Sequence, residues 1–271
     1  MGNQTKELNF ENKGCIGILE INRPGKKNAV NDLCWKQLEA ILDDLEPRGV
    51  TRALIITGSG SEIFSAGVDV NPSDPLIAAM FQAIQSRESG VVEDNLARIH
   101  ALLSRLSNLP VPTIAAFNGD AYSGGLELSL ACDIRVARQG AFMAFQETRL
   151  GLIPDLGGTI RLSRLLGPGK AKDLIYSCRK ISAHEAHAMG LIQHVFPDDD
   201  FMDHVLDYAQ TLTANSPEAI AAVKTIIDTT WDMDMDQALA VERNRAARTI
   251  VTGQCIEGVG AFFENRTPVW P

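Results

Sequence analysis

The 271-residue chain is short of several things, and each shortage removes a class of function. Basic residues are outnumbered, with 25 Lys+Arg against 34 Asp+Glu and a formal net charge of -9. That balance argues against general binding to nucleic acid or to an anionic membrane surface. The five cysteines form no Cys-x-x-Cys and mostly lie in apolar runs, which fits small core residues in a reducing compartment. No stretch reaches the ~20 apolar residues of a membrane span. The opening Met1-Gly-Asn-Gln-Thr-Lys-Glu7 lacks a signal-peptide apolar core, is unlike a transit peptide, and carries no Ser or Thr at position 6 for myristoylation. A cytoplasmic protein is expected. Gly-x-Ser-x-Gly is missing, so an α/β-hydrolase nucleophile turn is excluded. Gly58-Ser-Gly60 does not continue into a dinucleotide fingerprint, and His184-Glu-Ala-His187 with His194 lacks His-Glu-x-x-His spacing, so no metal site is expected.

What is present is an ordinary globular composition, 45% hydrophobic and 22% charged, on a chain long enough for a main domain with an appendage. Short β-like runs (Cys15–Ile21, Thr51–Thr57, Val111–Phe117, Ile134–Ala137 and Ala141–Phe145) alternate with amphipathic helical segments, which predicts an α/β fold. A helix is expected over Asp32–Leu45, where Leu38, Ile41, Leu42 and Leu45 recur at helical spacing. Asn71–Asn95, with Pro72, Pro75 and mixed charge, reads as a helical excursion suited to walling a variable ligand tail. Ser182-Ala-His-Glu185 reads as a capping box with Gly190 as the helix end, and Ser216-Pro217 as another helix start. From Phe201 to Arg266 three helices are expected, with apolar faces too generous for a small lone unit, which suggests an oligomerisation element. The sequence shows no internal repeat.

The chemistry concentrates in three segments. In Asn118-Gly-Asp-Ala-Tyr-Ser-Gly-Gly-Leu-Glu127-Leu-Ser-Leu-Ala-Cys132, read as helical from Ala121, Glu127 sits among Leu126, Leu128 and Leu130. A carboxylate buried there must be paired or have a raised pKa, as a general acid or base near neutrality requires. Gly124 and Gly125 let unpartnered N–H groups at a helix start approach a ligand. In Phe64-Ser-Ala-Gly67-Val68-Asp69-Val70, Gly67 permits the twist that turns the Val68 amide outward; read alone, this is also an ordinary tight turn. If the Val68 and Gly124 amides converge, they form an oxyanion hole. The third segment, Phe145-Gln-Glu147 through Asp155-Leu-Gly-Gly158, adds two carboxylates ahead of a helix starting near Gly158. Alone, Glu147 reads as a strand end, and Asp155 as a turn residue or cap.

Together these segments resemble the enoyl-CoA hydratase/isomerase (crotonase) superfamily. The likeness runs end to end: Ile21–Ala29 is similar to a first CoA-side motif, Phe64–Val70 and Asn118–Asp133 to the two oxyanion segments, and Glu147–Leu162 to the second catalytic segment. Ile181–Gln193 and Glu257–Arg266 are similar to the family's later helices. The resemblance implies a spiral of ββα turns over residues 1–200 and a helical trimerisation domain over 201–271, with trimers often paired into hexamers. It implies an acyl-CoA thioester with its carbonyl between the N–H groups of Val68 and Gly124. CoA would contact Lys26, Ala29, Ala66, Asp69 and Val70. No resident cofactor is implied, because CoA arrives as part of the substrate. Glu127 and Glu147 fall on the paired glutamates of hydratases, whereas Asp155 matches an aspartate found in some family isomerases. Hydration is therefore expected, with isomerisation by Glu147 and Asp155 as the alternative and a non-catalytic RNA- or partner-binding relative disfavoured by the charge. Ser123 replaces a glycine common in relatives. Asn265 replaces a lysine that often reaches a neighbouring subunit's CoA, leaving Arg266 as the substitute cation.

Overall fold

The computed structural model describes residues 6–46 and 49–271; the Met1–Thr5 part of the opening segment lies outside them. Its strands are β1 (Leu8–Lys13), β2 (Ile16–Ile21), β3 (Ala53–Gly58), β4 (Ile63–Ser65), β5 (Thr113–Phe117), β6 (Asp120–Tyr122), β7 (Ile134–Arg138), β8 (Phe142–Ala144), β9 (Ile181–Ser182) and β10 (His194–Phe196). The helices are α1 (Asp32–Leu45), α2 (Pro75–Ser86), α3 (Gly90–Ser107), α4 (Gly124–Ser129), α5 (Gly158–Leu166), α6 (Pro168–Ser177), α7 (Ala183–Met189), α8 (Phe201–Thr213), α9 (Pro217–Thr230), α10 (Met235–Val251) and α11 (Gln254–Phe263). A six-stranded sheet runs β1-β2-β3-β5-β7-β10, and a four-stranded one runs β4-β6-β8-β9.

The chain path repeats where the sequence does not. Three times a longer strand of the large sheet is followed within a few residues by a short strand of the small one: β3 then β4, β5 then β6, β7 then β8. Helices follow each pair, giving a ββα spiral. Buried amides hold the corners. Asn118 accepts from the Gly58 amide at 3.0 Å and donates to the carbonyls of Gly58 and Gly60 at 2.8 and 2.7 Å. Asn28, fully buried, donates to Ser59 and Ile63 carbonyls at 2.9 and 2.8 Å. Satisfied in this way, polar side chains fix a turn inside the core.

Strand alternation divides the core in two. Leu54 and Ile56 of β3, with Ala115 and Phe117 of β5, face the cluster that includes α1, α3 and α4. Ile55, Ile114 and Ala116 point the other way, against Phe201, Val205 and Ala209 of α8. Residues buried on both faces read as continuous apolar runs, which is why the parallel strands were visible in sequence.

The predicted runs at 15–21, 51–57, 111–117, 134–137 and 141–145 all contain strands, and α1 spans the predicted 32–45. The 71–95 excursion contains α2 and the start of α3. Ser182 accepts from the Glu185 amide at 3.2 Å, and Ser216 from the Ala219 amide at 3.1 Å, as helix caps. Two expectations need correction. The 121–132 stretch is helical only from Gly124 to Ser129, because the residues before it join the small sheet as β6. Four helices, not three, follow residue 200; α8 covers the second face of the large sheet, so by its packing it is a layer of the core. Helices α9–α11 bury little: Ala221 on α9, Ala261 on α11 and no residue of α10.

Arg23 ties the first turn of the chain to the loop after β4. Its guanidinium meets Glu7 at 2.7 Å and Asp69 at 2.8 Å and donates to the Ala29 carbonyl; the Arg23 and Asp69 side chains are only 9% and 11% exposed. Removing the cation leaves Asp69 poorly solvated and unpaired. Arg23→Met is expected to lower unfolding free energy by about 3 kcal/mol in urea titration; a loss indistinguishable from zero would remove this clamp from the account.

Candidate active site

The loop after β4 is also stitched to the 22–30 segment by backbone hydrogen bonds. Ala66 N–H donates to Lys27 O at 2.9 Å, Val30 N–H to Gly67 O at 2.7 Å, and Asp69 N–H to Val30 O at 2.9 Å. This isolated bridge consumes the groups on either side of Val68 and leaves the Val68 N–H without an acceptor among the described residues. Gly67 has φ +100°, a conformation that side-chain-bearing residues rarely adopt. The expected outward turn of the Val68 amide is thus built into the backbone.

Gly124 opens α4, and its N–H likewise has no acceptor among the described residues, since the first N–H groups of a helix lack intrahelical partners. The two loops touch. A Cβ on Gly124 would lie 3.3 Å from Val68 N, and one on Gly67 would lie 3.0 Å from Gly124 N. Gly125 serves packing instead, since a Cβ there would fall 2.7 Å from Ser65 Cβ on β4. Ser123 takes φ 48° and ψ -125°, costly for a residue with a side chain. Its hydroxyl accepts from the Gln146 amide at 3.2 Å, tying the α4 loop to the segment that carries Glu147.

Glu127 is 1% exposed. Its Oε2 accepts from the Leu156 amide at 2.8 Å and from the Gly158 amide at 2.7 Å, leaving Oε1 for exchange. Burial is the main influence on its carboxyl, pushing it from 4.5 up to about 8; the charges of Glu147 and Asp155 act in the same direction, and the two amides oppose them. Gly158 is tailored to this contact, because a Cβ there would come within 2.5 Å of Glu127 Cγ. Sequence reasoning took Gly158 only as a helix start and missed both amide donors. The Gly157-Gly158 doublet beside the third segment was the available signal.

Glu147 begins a short 3-10 turn after β8 and is 6% exposed. Both of its carboxylate oxygens are buried, and neither has a hydrogen-bond partner among the described residues. Burial raises its pKa, and Asp155 adds to the rise. An ionisable group kept dry with no partner is poised to act on something that enters. Asp155 is half-buried on the following loop and is also pushed upward by burial, partly offset by the charge of His100. His100 Nε2 lies 2.6 Å from the Asp155 carbonyl oxygen, a contact the sequence did not suggest.

One cleft of about 600 Å³ brings together all ten residues singled out from sequence: Glu127, Glu147 and Asp155; Val68 and Gly124; and Lys26, Ala29, Ala66, Asp69 and Val70. Two of these have less to offer than expected. The N–H groups of Ala66 and Asp69 are already spent on Lys27 and Val30, and the Asp69 carboxylate pairs with Arg23. Arg266 is likewise committed, to Glu257 at 2.6 and 2.9 Å and to Glu264 at 2.5 Å. No group of three or more His, Cys, Asp or Glu suited to a metal occurs among the described residues. None of the helices is long and apolar enough to cross a membrane among those residues.

A spiral of ββα turns with paired buried carboxylates beside two open main-chain donors defines an enzyme of the crotonase fold, built for chemistry on a carbonyl compound. Residues 11–271 match the enoyl-CoA hydratase/isomerase family, and the chain belongs to it. It is 38% identical over 269 residues to human methylglutaconyl-CoA hydratase, covering 98% of this chain and 76% of that protein. With the short-chain-enoyl-CoA hydratase of Clostridium acetobutylicum it shares 34% identity over 263 residues, 96% and 97% of the two chains. The crystal structure of an enoyl-CoA hydratase from Bacillus anthracis superposes with a TM-score of 0.87 at 34% identity, covering 97% and 98%. The family acts on acyl-CoA thioesters.

Because folding raises the Glu127 pKa above its ordinary 4.5, the folded state holds more protons than the unfolded chain between that value and about 8. The linkage sign follows: stability from this group is intact below 4.5 and is lost progressively as pH rises to about 8. Glu127→Gln removes the titration. Its melting temperature relative to the parent is expected to rise between acid and mildly alkaline pH in calorimetric scans; a difference flat with pH would contradict the raised pKa.

Proposed function

We propose that this enzyme adds water across the 2,3 double bond of an enoyl-CoA. The reading is carried by one observation: two buried carboxylates share a cleft with two main-chain N–H groups that have no acceptor. The thioester oxygen sits between the Val68 and Gly124 amides. As water oxygen bonds to Cβ, one carboxylate takes the water's proton and the other gives a proton to Cα. The π electrons pass through the enolate, whose charge gathers at the two amides before Cα is protonated. Atoms balance, and the pair ends with its single proton on the opposite carboxyl. Mutual repulsion makes a singly protonated pair the working state, so the two titrations belong to the pair rather than to either residue.

CoA runs along Lys26, Ala29 and the Ala66–Val70 loop, with exposed Lys26 beside its phosphates. The open Val70 edge, rather than the spent amides of Ala66 and Asp69, serves its adenine end. The exposed apolar side chains of α9–α11, among them Ile227, Phe262 and Phe263, support a homotrimer formed through these helices. A second reading keeps the same oxyanion hole and moves a proton between carbons of the acyl chain. It is favoured by Asp155, which lines the cleft and is raised by burial.

Glu127→Gln is expected to lower turnover on the best enoyl-CoA by ~10²-fold or more, and unchanged turnover would remove Glu127 from the chemistry. Asp155→Asn separates the two reactions. Hydration should fall modestly and any dienoyl isomerisation should collapse, as read by mass spectrometry for gain of one water or none.

A further inference from the structure

The cleft has two chemically unlike sides. Near the 24–27 turn it carries its two lysines, Lys26 and Lys27. The wall furnished by α2, α3 and the 151–156 loop is hydrocarbon: Ile77, Met80, Leu96, Ile99, Leu152 and Ile153, with Asn95 as the polar exception on the helices. Leu152 and Ile153 are 47% and 65% exposed, apolar groups left at the rim of a site rather than folded away. Among the described residues the basic groups nearest this wall are elsewhere or engaged: His100 of α3 does not line the cleft and holds its Nε2 2.6 Å from the Asp155 carbonyl oxygen. Arg98 of α3 is paired with Asp32, and Arg161 donates to the Leu156 carbonyl at 3.1 Å without lining the cleft. Four acidic residues line the same space, Asp69, Glu127, Glu147 and Asp155, and of these Asp69 is paired with Arg23.

We propose that the acyl group accepted here is an uncharged hydrocarbon chain, and that thioesters ending in a second carboxylate are excluded. The inference rests on the thioester reading of the site and narrows it. A distal carboxylate laid along this wall would lose its water without gaining a cation, beside Asp155 and a glutamate pair that already carries one negative charge. A hydrocarbon tail would instead cover Leu152 and Ile153 and gain from the area removed from water. Similarity to methylglutaconyl-CoA hydratase therefore does not extend to the acyl group, since a glutaconyl thioester ends in a second carboxylate.

Binding of unreactive saturated esters decides the matter without requiring turnover. Hexanoyl-CoA and glutaryl-CoA are nearly isosteric and differ at the chain end. Calorimetric titration should show hexanoyl-CoA bound ~10²-fold more tightly. Asn95→Arg, which places a cation on the apolar wall, should narrow that ratio by ~10-fold through tighter glutaryl-CoA binding. Equal or tighter binding of glutaryl-CoA by the unaltered protein overturns the proposal, whatever the variant does. Hydration of hexenoyl-CoA is assayed in parallel. Selective hexanoyl-CoA binding without hydration sinks the hydratase reading and leaves this one standing; failure of both esters to bind sinks both.

Discussion

A carboxylate held dry by two main-chain amides is the constraint on which the rest of the site turns. Glu127 Oε2 takes hydrogen bonds from Leu156 and Gly158, and those bonds exist only because the loop entering α5 passes directly over α4. The amides favour the charged carboxylate, while burial and two further carboxylates oppose it more strongly. The result is a group whose position is fixed while its proton is left near balance. Glu147 is the complement: buried, with no partner for either oxygen. One carboxylate is anchored and the other is left unsatisfied, an asymmetry suited to passing a proton in one direction and then back.

The two amides proposed to hold the thioester oxygen are equally a product of the chain path. Three backbone hydrogen bonds to the 22–30 segment consume the groups around Val68 and leave its N–H over. The start of α4 leaves the Gly124 N–H over because the first N–H groups of a helix have no carbonyl one turn earlier to bond. Neither donor depends on a flexible side chain, so little reorganisation is needed when charge develops on an oxygen between them. Arg23, through Asp69 and Glu7, secures this arrangement at a distance from the reacting atoms.

Legibility in the sequence followed burial and glycine. Strands buried on both faces were visible as apolar runs, and α1 as a helical stripe, because their patterns follow from one local periodicity. Of the small sheet, β8 was read within 141–145 while β4 and β6 escaped notice; those two are three residues each and exist through pairing with distant neighbours. For the same reason β6 was absorbed into an expected helix. Glu127 and the Val68 and Gly124 amides were found through unusual combinations, a lone acid in an apolar run and glycines where backbone must come close, while Lys26, Ala29, Ala66, Asp69 and Val70 came from the family resemblance alone. The family resemblance then supplied the roles. Backbone donors to Glu127 were out of reach, since any residue type but proline carries an N–H and only the fold decides where it points. The commitment of the Asp69 amide to Val30 was hidden likewise.

The helical tail shows the opposite balance. Its apolar excess was plain in the sequence, and the structure leaves it exposed on α9–α11 while enclosing the apolar face of α8. The chain thus carries an enclosed core beside an exposed apolar surface.

The most direct test of the account is the infrared carbonyl stretch of a saturated acyl-CoA labelled with carbon-13 at the thioester. Donation by Val68 and Gly124 to one oxygen predicts a stretch shifted to lower frequency on binding than in water, with the shift retained when Glu127 is replaced by Gln. A bound thioester whose stretch matches that in an apolar solvent would mean the two amides do not meet at the carbonyl, and the chemistry proposed for this cleft would have no place to put its charge.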